Sequence, residues 1–269
     1  TASHTEITAM LQGLTHTEQL DAAARLLTAF LALRSQRAEG SHAGDERLSH
    51  IVLNACANRR RMDLCHLVTE AMARQRVELG AVGYCILIKG YGRSADVRGL
   101  DGLLAHMHTE RVRADAVTYN ALIDAYARNA RMSVAETVLA QMRNGRMQPS
   151  SRSFNPLLRG YVTSGRRGGL HSAFSTLRRM RSELGPHGPD LVSYNLLVDG
   201  CVRYGRLGLA QAILRGLSRG GGGEARRRWR PQPDVVAFTT VMRGLLDAGR
   251  PLESAIDLLS EMRAARVLP

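Results

Sequence analysis

Residues 116–150, AVTYNALIDAYARNARMSVAETVLAQMRNGRMQPS, carry two apolar stripes separated by polar turns. Val117, Leu122, Ile123 and Tyr126 recur at the roughly 3.6-residue spacing of one helix face, and Ala135, Val138, Leu139 and Met142 repeat that spacing. Asn144-Gly145 marks the end of the second helix, with Gly145 expected in the left-handed cap conformation that glycine adopts at little cost. The pattern predicts a helical hairpin. Neither stripe is buried by one hairpin alone, so the unit has to stack on others of its kind.

The chain supplies them. Units beginning at Glu46, Ala81 and Ala116 are 35 residues apart, and further units occupy 151–190, 191–234 and 235–269. Aligned as 46–80, 81–115, 116–150 and onward, they place Tyr84, Tyr119, Phe154, Tyr194 and Phe238 in one column and Met72, Met107, Met142, Met180 and Met262 in another. The later units lengthen by five, nine and one residues, at turns or helix ends, where stacked repeats tolerate insertion. Residues 1–45 hold a degenerate hairpin pattern, ITAMLQGL then LDAAARLLTAFL, followed by a polar segment, 34–45, read as a loop. The expected fold class is all-α, a solenoid of about seven stacked hairpins.

Composition agrees with a helix stack: aromatics are 4% of the chain, while Ala, Leu, Val and Met are plentiful. A net charge of +13 points to a polyanionic partner, nucleic acid first. Lys89 is the one lysine; the other cations are arginines, whose planar fork suits phosphate and base stacking, although GC-rich coding produces the same bias. Cys56, Cys65, Cys85 and Cys201 lack metal-ligand spacing and read as reduced core residues. His106 and His108 point to different sides of a helix, against a shared metal. The best apolar run, 22–33, is short and broken by Arg25, so no membrane span is expected.

No catalytic constellation emerges. GRLGLA and GRRGGL read as repeat turns rather than phosphate loops, and no HExE or CxxC pair of a deaminase appears. Asp124, Asp199 and Asp247 belong to different units, which leaves no clustered carboxylates for a metal nuclease. A binder without cofactor is expected. In the nine-residue insertion, four glycines at 220–223 precede EARRRWR; glycine costs a helix roughly 1 kcal/mol against Ala, so this is a basic loop. Either it grips phosphates with Trp229 stacked on a base, or it is a solvated surface loop. Thr1 in place of Met fits a targeting segment removed or left out, and Pro269, one position short of a completed unit, suggests that the array continues.

The recurring VTYNALIDAYAR...A..VL..M...G..P[SD] resembles the pentatricopeptide repeat, a 35-residue helical hairpin found mainly in organelle RNA-binding proteins. The 34-residue tetratricopeptide repeat is the nearest rival, but its W..LG..Y, A...F and P series is absent. The resemblance implies a right-handed superhelix in mitochondrion or chloroplast, with first helices lining a groove for single-stranded RNA and one base read per repeat. The fifth and last residues of a unit then read the base: Cys85 with Asp115, Asn120 with Ser150, Asn155 with Asp190, Asn195 with Asp234, and Thr239. In the family, Asn with Asp favours uracil, Asn with Ser leans to cytosine and Thr favours a purine. The implied core is pyrimidine, U, U, purine, 5′ to 3′. His50 with Gly80 and Cys85 with Asp115 depart from the usual pairs, so those units are structural or bind without clear choice.

Second-position residues sandwich the base in the family. Val82, Val117, Val192 and Val236 fit such a wedge; Arg152 either stacks its guanidinium or has lost the contact. Lys89, Arg93, Arg128, Arg159, Arg203 and Arg243, at positions nine and thirteen of their units and so about one turn apart on the first helix, form a cationic stripe suited to phosphates, interrupted by Asp124 and Asp199. A solvated face shows mixed charge too. Three readings remain: a selective organelle RNA binder acting in transcript stabilisation, processing or translation; a structural subunit of an organelle ribosome leaning on rRNA and proteins; and a protein-binding scaffold.

Overall fold

The computed structural model describes residues 4–17, 19–36, 43–166, 168–185, 188–218 and 231–267, in which fourteen helices and no strand form. The chain divides into two compact units, Thr1–Asn129 and Ala130–Pro269. The first contains α1 (His4–His16), α2 (Leu20–Gln36), α3 (Ala43–Asn58), α4 (Met62–Arg74), α5 (Gly80–Ser94), α6 (Val97–Thr109) and α7 (Ala116–Arg128). The second contains α8 (Met132–Asn144), α9 (Ser151–Thr163), α10 (Gly169–Leu184), α11 (Leu191–Arg203), α12 (Leu207–Ser218), α13 (Val235–Asp247) and α14 (Leu252–Ala264). Each unit is a stack of helical hairpins, the all-α solenoid architecture expected. The division falls inside the repeat 116–150, which gives Asn120 to the first unit and Ser150 to the second.

Within each unit, first helices pack on first helices: α3 on α5 and α5 on α7, then α9 on α11 and α11 on α13. Second helices pack on the first helices of their own and the following repeat, as α10 does on α9 and α11. The aromatic column supplies much of this layer, with Phe154 and Phe238 fully buried and Tyr84 and Tyr194 nearly so. All five methionines of the second column are buried. A third column went unnoticed in the sequence. Gly90, Gly200 and Gly244 lie where neighbouring first helices approach closely; a Cβ on Gly200 would meet Val162 Cγ2 at 2.7 Å and one on Gly244 would meet Val202 Cγ1 at 2.5 Å.

Polar ties join successive repeats. Tyr91 shares a 3.1 Å hydrogen bond with His66, Tyr126 donates to Asp101 at 2.6 Å, and Tyr161 donates to Glu136 at 3.1 Å. In each case a first helix is bonded to the second helix of the repeat before it.

Two local expectations are corrected. Residues 34–45 are not wholly loop, because α2 continues to Gln36 and α3 begins at Ala43. Asp45 and Glu46 lie in the first turn of α3, where carboxylates favour the helix dipole, and Arg34 donates to buried Asp45 at 2.6 Å. Nor is Gly145 left-handed: its φ is −75°, and Arg146 takes that conformation at φ 59°. The helix runs through Asn144, so the cap bonds, Arg146 N–H to Arg143 O and Met147 N–H to Met142 O, place the left-handed residue one step later. Arg76, Arg111 and Arg266 repeat this arrangement.

All four cysteines are buried and free, and burial pushes the Cys65 thiol up to about 12. Among the described residues, no His, Cys, Asp and Glu cluster suits a metal ion, and no helix is long and apolar enough to cross a membrane. The Gly-rich basic insertion with Trp229, and Pro269, lie outside the described residues.

Candidate nucleic-acid interface

The exposed faces of the first helices carry the second-position residues singled out for RNA. Val82, Val117, Val192 and Val236 remain 50–59% exposed, whereas Leu87, Leu122, Leu197 and Val241 further along the same helices are buried. Arg152, at the same place in α9, is exposed too. Three residues further along, on the same side of the helix, stand the fifth-position residues.

In the second unit two of these are joined to the residues that close their repeats. Asn155 Nδ2 donates to the Asp190 carboxylate at 3.2 and 3.4 Å, and Asn195 Nδ2 donates to Asp234 at 3.2 and 3.1 Å. The aspartates are fixed by a second task, capping the next first helix: Asp190 accepts from Ser193 N–H and Asp234 from Ala237 N–H, each at 2.9 Å. Each repeat therefore presents an oriented amide beside a carboxylate whose position the backbone dictates. Such a pair offers a donor and an acceptor side by side, the complement of a base edge. Ser193 adds a contact that the sequence reading overlooked, donating to Asn155 Oδ1 at 2.7 Å. Its only sequence signal was the capping-box spacing of Asp190 and Ser193.

Thr239 is exposed, but its hydroxyl is turned back on α13, bonding to Val235 O at 2.8 Å. Ser150 is exposed at the start of α9, where its N–H donates to Ser153 Oγ at 3.1 Å.

The first unit differs. Cys85 is 7% exposed, and its partner by sequence, Asp115, instead caps α7 by accepting from Thr118 N–H at 2.8 Å and Thr118 Oγ1 at 2.7 Å. Those bonds hold the Asp115 carboxyl below the usual carboxylate range. His50 shares a 2.9 Å hydrogen bond with the Leu79 carbonyl. Asn120 sits half-buried on α7 with its Oδ1 unpartnered among the described residues.

The cationic stripe is uneven. Arg128 donates to Asp124 and Arg203 to Asp199, both at 2.6 Å and both one turn back on the same helix, so two of its positions are locally neutral. Arg93 is hydrogen-bonded to Asn58. Lys89 and Arg243 are exposed and Arg159 is half-buried.

Sequence and fold point the same way. A family profile described as "PPR repeat family" matches residues 114–163 and one described as "PPR repeat" matches 192–221. All of the chain is similar in fold to the pentatricopeptide repeat protein PPR10 from maize, with a TM-score of 0.68 at 22% identity over 35% of that chain. It is also similar to PPR10 in complex with an 18-nucleotide psaJ RNA element, with a TM-score of 0.70 at 17% identity over 36% of that chain. The chain thus spans about a third of the length of these structures. No curated protein matches the sequence.

Proposed function

We propose that the chain, whose residues 114–163 and 192–221 match pentatricopeptide repeat profiles, is an array of P-type repeats that binds single-stranded RNA with base selectivity. The observation that carries this reading is the pair of hydrogen-bonded Asn–Asp readers in successive repeats, Asn155 with Asp190 and Asn195 with Asp234. A solvated surface has no need to bury an amide against a helix-capping carboxylate twice in the same register. Beside each pair an exposed side chain, Arg152 or Val192, is placed to cover a base. Exposed cations such as Lys89 and Arg243 supply attraction for phosphates independent of sequence.

The RNA is a transcript of an organelle, the setting implied by the resemblance and compatible with the charge. Binding alone is sufficient mechanism: an occupied strand resists exonucleases or is held out of secondary structure. The test compares affinity for a strand carrying pyrimidine-U-U-purine with affinity for its scrambled counterpart. A preference for the ordered strand is expected. Equal affinities would reject selective reading and favour a structural role on folded rRNA.

A further inference from the structure

The two Asn–Asp readers of the second unit are alike in sequence but not in surroundings. Asn155 is 8% exposed and both ends of its amide are engaged, Nδ2 by Asp190 and Oδ1 by the Ser193 hydroxyl. Ser193 itself is fully buried and also lies 2.8 Å from Asp190 Oδ1. In the next repeat Ala237, 1% exposed, stands where Ser193 would be. Asn195 keeps its bonds to Asp234, but its Oδ1 is buried with no hydrogen-bond partner among the described residues. A methyl group has replaced the only donor within reach of the equivalent oxygen. The difference is chemical, since the capping aspartates and their bonds to the backbone match.

We propose that Ser193, the third residue of repeat 191–234, is a positioning residue that locks the base-reading amide of Asn155, and that Ala237 at the same place in the next repeat leaves Asn195 under-restrained. The proposal rests on the RNA reading above and deepens it. Turning an asparagine amide over exchanges its donor and its acceptor, and so reverses what it offers a base. For Asn155 that rotation sets Oδ1 against the Asp190 carboxylate and trades the hydrogen bond that Ser193 donates to Oδ1 for one that its Oγ accepts from Nδ2, while any swing short of a full turn breaks contacts at both ends of the amide. For Asn195 only the bonds to Asp234 oppose it, and the buried orphan oxygen gains from any movement that finds it a donor. Repeat 151–190 therefore discriminates its base more sharply than repeat 191–234, although both present Asn and Asp.

Ser193→Ala and Ala237→Ser in the full chain test this. Affinity is measured for strands differing only by U or C opposite each of the two repeats, at two salt concentrations. Side-chain amide exchange of Asn155 and Asn195 is followed by NMR without RNA. Ser193→Ala is expected to reduce the preference at the first base about threefold to tenfold, the size of one hydrogen bond, with an unchanged salt slope and faster Asn155 amide exchange. Ala237→Ser is expected to sharpen the second preference and slow exchange at Asn195. Equal changes for all strands, or preferences and exchange rates unmoved in both variants, would overturn the proposal. A wild type without base preference sinks the RNA reading instead, and the exchange rates then decide positioning by themselves. Ser193→Ala also loses the bond that its Oγ accepts from the Asp190 N–H, a loss felt alike by all strands, so its U-against-C ratio decides the matter if Ala237→Ser folds poorly.

Discussion

Repeats 81–115 and 151–190 share a frame and differ in what they put on it. Both bury an aromatic at the fourth position, Tyr84 or Phe154, and a methionine late in the second helix, Met107 or Met180. Both begin the following first helix at a capping aspartate, Asp115 or Asp190. At the fifth position one has a buried thiol and the other an amide bonded across to that aspartate. The capping function of the aspartate is thus independent of reading. On the proposed reading, the same carboxylate joins a base-reading pair only when asparagine faces it, so folding constrains one end of the pair and leaves the other free to vary.

The largest effect tests the shared frame. Phe154→Ala removes a fully buried ring flanked by the guanidinium groups of Arg143 and Arg179, and is expected to cost about 3–5 kcal/mol by denaturant unfolding. A loss below about 1 kcal/mol would show that the aromatic column does not hold the stack. Next comes a transplant of chemistry: Cys85→Asn sets an amide opposite Asp115. It should create a base preference of about tenfold, ~1.4 kcal/mol, at a position where none is expected of the wild type, read as relative affinity for single-base variants. An unchanged profile would mean that the fifth residue is not what separates the two repeats.

A smaller change distinguishes the two tasks of the aspartates. Asp115→Ala is expected to cost about 1 kcal/mol of stability with no change in base preference, whereas Asp234→Ala loses both a cap and the partner of Asn195. The pH dependence follows from the lowered Asp115 pKa, caused first by the Thr118 N–H. Its contribution is present above the unfolded-state value and disappears as pH falls through the folded one, so wild type loses this increment on acidification and Asp115→Ala does not. Smallest of all, Arg111→Gly and Arg146→Gly relieve left-handed residues that close second helices in the two units, and each should gain up to about 1 kcal/mol. Unequal gains would show that the turns are not equivalent.

The helices were legible because hydrophobic spacing dictates them: the stripes of 116–150 and the Met and aromatic columns became helices and buried rows. Gly145 misled because a glycine near a helix end does not fix which residue ends it, and Arg146 bore the left-handed turn. The glycine column of Gly90, Gly200 and Gly244 was visible as letters, but its meaning depends on how closely neighbouring first helices approach. The candidate site was half legible. Register named Asn155 with Asp190 and Asn195 with Asp234, but not the Ser193 hydroxyl that distinguishes them, nor the bonds that hold Arg128 and Arg203 to Asp124 and Asp199. Those features depend on side-chain direction across residues far apart in sequence or on a helix face shared by opposite charges.

The claim that the Asn–Asp pairs read bases is tested most directly by Asn155→Thr. Affinity is measured for two strands that differ only by U or a purine opposite repeat 151–190. The account predicts that wild type prefers U there and that the variant prefers the purine, with the preferences opposite neighbouring repeats unchanged. The same ratio of affinities in both proteins would contradict it.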